Sequence, residues 1–257
     1  MFITTAGRTD EMMIKETKRI ANELNIPYVK RKKSSLHELQ QINVDDCMVV
    51  GKERIELYFC KKDKPFFFHP NSASFRIKRL LQGEHDPFLK ATQLKHGMSL
   101  LDCTLGLASD SIVASYIVGS SGKVVGIEGN PYLAYLVRRG LSSWNSSMCE
   151  MNMAMKNITV IHSYFEDYLR SLNDCSFDCV YFDPMFDQAI LQSDGIARLR
   201  DWAIYTELTE SVIKEAKRVA KHRIVIKEHF RSEQFERFGF ERMARKTSKF
   251  HFGFIEL

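Results

Sequence analysis

Apolar residues along this chain recur in two rhythms, short continuous runs and stripes spaced three or four apart, and the two rhythms alternate. Phe2 to Thr5 predicts a strand, and Asp10 to Leu24 predicts a helix with Ile14, Thr17, Ala21 and Leu24 on one face. Pro27 opens a short extended piece. Ser35, with Glu38 three residues on, has the form of a capping box for a helix through Gln41. Met48 to Val50 and Ile55 to Cys60 then predict a hairpin around Gly51 and Lys52. Residues 1–64 are therefore expected to form a small α/β module.

The pattern changes at Pro65. An aromatic run, Phe66 to Phe68, leads into a polar, basic stretch and then a helix from about Asp86 to Lys95, with Pro87 in its first turn and Gly97 ending it. Strands are predicted at Ser99 to Cys103, Val124 to Glu128, Ile158 to His162 and Phe177 to Phe182. Helices between them cover Asp110 to Val118, Pro131 to Leu141 and Phe165 to Leu172. Ser142 to Met155 reads as a loop or a loosely packed helix extension. Helix Trp202 to Ala220 and strand Arg223 to Lys227 follow, then two strands, Phe240 to Arg245 and His251 to Glu256, in an antiparallel hairpin. Short apolar strands separated by helices imply a mostly parallel, Rossmann-like sheet covered on both faces. The fold class is α/β, with residues 65–257 as the main domain.

Composition adds boundaries. With 44% hydrophobic and 27% charged residues among 257, the chain is that of a folded globular protein. No apolar stretch approaches the roughly 20 residues a bilayer span needs, and MFITTAGRTDEMM lacks the form of a leader, so a cytoplasmic address is expected. The six cysteines are scattered without paired metal-ligand spacing and read as reduced, with no metal. Net charge is +5, with Lys30, Arg31, Lys32 and Lys33 consecutive and Lys61, Lys62, Lys64, Arg76, Lys78 and Arg79 following. Such runs favour a polyanionic partner, nucleic acid above all; a solvated surface is the alternative.

Candidate chemistry gathers at the carboxyl ends of the predicted strands, where open α/β sheets bind ligands. Asp102 ends the first strand of the main domain, and Gly106 sits in the tight turn of Thr104-Leu105-Gly106-Leu107-Ala108-Ser109-Asp110 before a helix. Gly106 can take a positive φ and let the backbone approach a cofactor. Glu128 ends the next strand and can accept both hydroxyls of a ribose. A dinucleotide oxidoreductase shares that acidic residue but shows G-x-G-x-x-G, which Gly106-Leu107-Ala108-Ser109-Asp110-Ser111 is not. S-adenosylmethionine has no pyrophosphate and does not need that glycine set.

Asp183-Pro184-Met185-Phe186 follows a further strand at the same edge. An exocyclic amine conjugated with its ring is a poor nucleophile, and hydrogen bonds to a carboxylate and a carbonyl push electron density onto its nitrogen. Asp183 and the Pro184 carbonyl can supply those acceptors, and Asp183 can receive the proton. Phe186 can stack on an extruded base, worth about 1–3 kcal/mol. An ordinary Asp-Pro turn with a core Phe is the alternative.

These segments, together with Phe75-Arg76-Ile77-Lys78, Glu128-Gly129-Asn130-Pro131, Ile161-His162-Ser163-Tyr164 and Arg223-Ile224-Val225-Ile226-Lys227, resemble the RsmJ-type family of 16S ribosomal RNA guanine-N2 methyltransferases. The resemblance implies a class I S-adenosylmethionine-dependent methyltransferase. It implies cofactor contacts from Ser109 and Asp110, Glu128 and Gly129, Tyr164 and Phe165, and Asp183, and it makes Arg76 and Lys78 candidates for RNA contact. The family usually carries Gly at the place of Ala108, Arg at that of Ser109, and small hydroxyl residues at those of Tyr164 and Phe165. The N-terminal module does not match the family; its slight resemblance to a small α/β domain of ribosome-assembly proteins makes it a candidate for RNA docking. Two other readings stay open: another planar nitrogen acceptor (DNA adenine, a protein amide or a metabolite), and a non-catalytic RNA-binding assembly factor.

Overall fold

The computed structural model describes residues 1–60, 64–184, 208–246 and 248–257. The chain folds as two compact units, the first giving way to the second after His69.

In the first unit, β1 (Phe2–Thr5) pairs in parallel with β2 (Cys47–Val50), which pairs antiparallel with β3 (Ile55–Tyr58). Helix α1 (Glu11–Leu24) starts where Asp10 accepts from the Met13 N–H, and α2 (Leu36–Asn43) starts on the capping box of Ser35 and Glu38. The buried face of α1 is Met13, Thr17, Ile20 and Ala21, turned slightly from the expected Ile14–Leu24 stripe, because Met13 and Ile20 complete a better four-seven spacing with Thr17. Phe66 bridges to Leu57 of β3 and belongs to this unit. Lys30, Lys32 and Lys33 are exposed, whereas Arg31 turns back to donate to the carbonyls of Thr5 and Ser34.

The second unit opens with α3 (Asn71–Leu81), over a stretch whose polarity reads as irregular in sequence. Only Ala73 and Ile77, one turn apart, are buried, so its helical stripe is too thin to stand out. Next comes α4 (Pro87–Thr92), capped by Asp86 and ended by Gln93 in the left-handed region, short of the expected Lys95. The elements then alternate: β4 (Ser99–Asp102), α5 (Ser109–Val118), β5 (Lys123–Glu128), α6 (Pro131–Ser143), α7 (Cys149–Lys156), β6 (Ile158–His162), α8 (Phe165–Ser171) and β7 (Phe177–Phe182). Of the loop or loosely packed helix extension expected over Ser142 to Met155, the second half is a separate packed helix, α7, whose inner side buries Met151, Ala154 and Met155.

Beyond β7 come α9 (Glu210–Val219), β8 (Ala220–His229), α10 (Gln234–Phe238), β9 (Glu241–Met243) and β10 (Phe250–Glu256). Thr209 caps α9, so that helix starts at Glu210; the earlier part of the helix expected from Trp202 lies largely outside the described residues. The sheet order is β6-β5-β4-β7-β8-β10-β9, parallel through β8 and closed by antiparallel β10 and β9. Phe165 and Leu169 of α8, Val212, Ile213 and Ala216 of α9, and Phe235 of α10 form one core cluster with the strand residues they cover. On the other face, α5 packs against α3 and α7, and Phe88 of α4 meets the Tyr181 ring edge-on at 4.8 Å.

Candidate functional site

Strand order places the site. β4 is flanked by β5 on one side and β7 on the other, the point at which successive connections leave in opposite directions and a crevice opens at the carboxyl edge. Asp102 is level with Gly126 of β5 and with Tyr181 of β7. Glu128 and Asp183 each lie two residues further along, about 7 Å beyond that level. Three acidic side chains thus mark the edge at two depths.

The deepest of them, Asp102, is buried and organises the turn above it. One carboxylate oxygen accepts from the Thr104 N–H at 3.0 Å and the other from the Ser111 hydroxyl at 2.7 Å. Burial pushes this carboxyl up to about 7. Gly106 has φ +49°, and Ala108 is held at φ +60° directly before α5. The Leu105 N–H donates to the Ile127 carbonyl, and the Leu105 side chain fills the place a Cβ on Gly126 would need, with its Cδ1 only 2.3 Å from that position. Gly126 thus lets the loop lie flat on β5.

Glu128 is buried at the end of β5. Its carboxylate accepts from the Asn130 N–H at 2.9 Å, with the backbone of Gly106 and Gly129 also facing it, and burial pushes it up to about 7. Asn130 caps α6 by accepting from the N–H groups of Tyr132 and Leu133. The Ser163 N–H donates to the Glu128 carbonyl, and His162 Nε2 lies 3.1 Å from the Gly129 carbonyl, so the segments after β5 and β6 are tied together. Tyr164 is half-exposed at the start of α8. The ring of Phe165 is committed to the core, edge-on to Phe182 at 5.7 Å.

A chain of alternating charges occupies the β7 side. The Arg76 guanidinium from α3 donates to both oxygens of Asp86, at 2.7 and 2.9 Å, and to Asp110 at 2.5 Å. Asp110 also accepts from the Tyr181 hydroxyl at 2.9 Å. Burial opposes its charge, but Arg76 and Lys227 outweigh that and hold the carboxyl at about 2. Lys227, from β8, stands 3.8 Å from Asp110 and donates to Asp183 at 2.5 Å. The Asp183 N–H donates to the Thr104 hydroxyl at 2.6 Å. Burial and the charge of Asp110 push the Asp183 carboxyl above the usual carboxylate range, while Lys227 pulls against them.

The structure therefore brings Asp102, Gly106, Asp110 and Glu128 to one edge with Asp183 and Pro184. Arg76, a candidate for RNA contact in the sequence, does not stand out as a free cation: its guanidinium is paired with Asp86 and Asp110 inside the unit. Lys78 is exposed on α3. Phe186 lies outside the described residues. Sequence reasoning missed Tyr181 and Lys227; the available signal was a hydroxyl within the Cys179-Val180-Tyr181-Phe182 run and an ammonium directly after the apolar run Ile224-Val225-Ile226.

Comparison with known proteins fits this arrangement. Residues 31–251 match the family described as "Putative SAM-dependent methyltransferase", and the chain belongs to that family. It is 49% identical over 254 residues, 99% of this chain and 98% of the relative, to "Uncharacterized protein YpiP" of Bacillus subtilis. It is 26% identical over 170 residues to "Ribosomal RNA small subunit methyltransferase J" of Francisella tularensis subsp. novicida, covering 57% of this chain and 68% of that one. Among solved structures, a SAM-dependent methyltransferase from Neisseria gonorrhoeae superposes with a TM-score of 0.64 at 16% identity, over 100% of this chain and 96% of that one, and shares the fold.

The cofactor is accordingly S-adenosylmethionine, and the crevice suits it. The Ser109 hydroxyl at the start of α5 is buried with no hydrogen-bond partner among the described residues. Glu128 carries a buried carboxylate at the end of β5, faced by the backbone of Gly106, and Gly106 and Ala108 bring no long side chain of their own to the loop.

Proposed function

We propose that this methyltransferase acts on the exocyclic amine of a base in RNA, guanine N2 of ribosomal RNA. The observation that carries the reading is the Asp183 carboxylate. It lies at the end of β7, anchored through its backbone to Thr104 and through one oxygen to Lys227, beside the crevice that suits the cofactor. The printed name of the Francisella relative, a ribosomal RNA methyltransferase, supports the same acceptor, as do the exposed lysines 30, 32 and 33 of the first unit.

In this reading Glu128 accepts the ribose hydroxyls, and the start of α5, with Ser109 and Asp110, faces the remaining polar groups of the cofactor; Gly129, Tyr164 and Phe165 border the adenine. When bound, S-adenosylmethionine supplies an electrophilic methyl group on sulfur. Asp183 and the Pro184 carbonyl accept the two N–H bonds of the target amine and orient its lone pair. As the new N–C bond forms, the amine nitrogen becomes cationic and gives its proton to Asp183. Phe186 stacks on the base, and Lys78 meets the RNA backbone. A protein of this kind works on ribosomal RNA in the cytoplasm, with the first unit as an RNA-docking module.

Mass spectrometry of ribosomal RNA nucleosides tests the proposal. Cells lacking the gene are expected to lose one methylated guanine, restored by the wild-type gene and not by an Asp183→Ala variant. An unchanged nucleoside profile refutes the RNA reading.

A further inference from the structure

We infer that Lys227 is a positioning residue for Asp183: its ammonium holds one carboxylate oxygen and the negative charge in place, and leaves the other oxygen to the acceptor amine. The inference rests on the reading of Asp183 as the proton acceptor.

The geometry separates this from a counter-ion role for Asp110. Lys227 Nζ is 2.5 Å from Asp183 Oδ2 but 3.8 Å from Asp110 Oδ2, so only the first is a hydrogen bond. Asp110 already has Arg76 at 2.5 Å and the Tyr181 hydroxyl at 2.9 Å. Asp183 Oδ1, by contrast, has no partner among the described residues. Lys227 and Asp183 are each about one quarter exposed, enough for a planar amine to reach the free oxygen while the ion pair stays largely out of water. Asp110 adds a second negative charge near the Lys227 ammonium, against the repulsion of Arg76.

The balance of charge gives Lys227 its task. Among the described residues, five titratable groups face Asp183: Lys227 of β8, Asp110 of α5, Arg76 of α3, Asp102 of β4 and Tyr181 of β7. Two of these are carboxyls, which disfavour a further negative charge, and burial disfavours it again. Among the described residues, Lys227 is the cation in direct contact. Without it, Asp183 takes up a proton at higher pH, and a protonated carboxyl cannot receive the proton of the amine. Atoms and charge balance through the step: the sulfur–methyl bond breaks with its electron pair left on sulfur, so the sulfonium leaves as a neutral thioether, the amine nitrogen gains the methyl carbon and loses one proton, Asp183 gains that proton, and Lys227 remains an ammonium throughout.

The test uses the full-length protein with S-adenosylmethionine bound and ¹³C-labelled aspartate, with the Asp183 carboxyl signal assigned through Asp183→Asn. Lys227→Gln, which keeps a donor but removes the charge, is expected to raise the Asp183 midpoint by about one pH unit, a roughly tenfold change in proton affinity. Lys227→Arg is expected to restore it. An unmoved midpoint in folded Lys227→Gln overturns the inference. A second measurement is independent of any change at Lys227: the ¹⁵Nζ signal of Lys227 is expected to exchange slowly in wild type and roughly tenfold faster in Asp183→Asn, as weakening of a part-buried charged hydrogen bond requires. Equal exchange rates overturn the inference as well. With ribosomal RNA from cells lacking the gene as acceptor, the acidic limb of kcat/KM should follow the carboxyl midpoint in each variant. If wild type transfers no methyl group to that RNA while the midpoint moves as stated, the RNA reading fails and the place of Lys227 stands.

Discussion

The Asp183 N–H reaches the Thr104 hydroxyl oxygen at 2.6 Å, a bond that fastens the segment leaving β7 to the cofactor loop leaving β4. Thr104→Val keeps the shape and removes the acceptor. Unfolding in urea should show a loss of about 1 kcal/mol, the usual worth of one such bond. Methyl transfer should fall further than stability does, because the carboxylate loses its aim, while the calorimetric affinity for S-adenosylmethionine stays close to wild type. Equal losses in cofactor affinity and in transfer would show that the bond shapes the loop alone.

Ala108 carries φ +60° with no side-chain exposure. An L-residue in the left-handed region costs about 1 kcal/mol, which glycine avoids, although glycine loses more chain entropy on folding. Ala108→Gly should therefore be neutral or stabilising by up to about 1 kcal/mol. Ala108→Val should be destabilising by more than about 2 kcal/mol, since a branched side chain meets both the strain and a packed surrounding. Thermal melts of the two variants decide it. The backbone of this loop is thus the one that favours glycine, with alanine tolerated because its methyl group is small.

Asp102 and Glu128 predict an unusual pH dependence for the cofactor-free protein. Burial raises each carboxyl to about 7. Between the unfolded values near 4 and these folded values, the native state holds more protons than the unfolded state, so their contribution to stability is complete below about pH 4 and is lost as pH rises through about 7. Denaturant midpoints of the cofactor-free protein at pH 5 and pH 8 should show this loss. If Glu128 must be ionised to accept ribose hydroxyls, cofactor affinity should instead rise from pH 6 to pH 8, with net proton release measurable by calorimetry in buffers of different ionisation heat.

Asp110 sits between two cations and a phenol, and burial makes its charge necessary to them. Asp110→Asn should cost about 3–5 kcal/mol by leaving Arg76 and Lys227 with one carboxylate fewer. Adding Arg76→Met should recover part of that loss, since the two changes share one network. Chemical denaturation of both single variants and the double variant gives the coupling; simple additivity would contradict the network.

Local decisions are legible in the sequence and long-range ones are opaque. Ser35 and Glu38 announce α2 through bonds only three residues apart, and Gly51 announces the β2–β3 turn in the same way. The strand-end positions of Asp102, Glu128 and Asp183 follow from counting strands. Helix α3 is hidden because its buried side consists of Ala73 and Ile77 while its most consequential residue, Arg76, is charged and turned inward. Partners of Arg76 lie 10 and 34 residues away, and Lys227 reaches an aspartate 44 residues away, so no spacing rule could pair them. Helix α7 is hidden by its methionines and asparagines, which give weak periodicity although Met151 and Met155 pack well.

Strand β10 lies between β8 and β9 and pairs with β8 over seven positions, from Phe250 opposite His229 to Glu256 opposite Arg223. This gives the protein a schedule during synthesis. Until residues 250–256 emerge from the ribosome, β8 is an open edge, its backbone unpaired on one side and Arg223 without Glu256. The strand bearing Lys227 is thus the last of the parallel strands to be sealed, and the crevice acquires its working form only when nearly the whole described chain has been made.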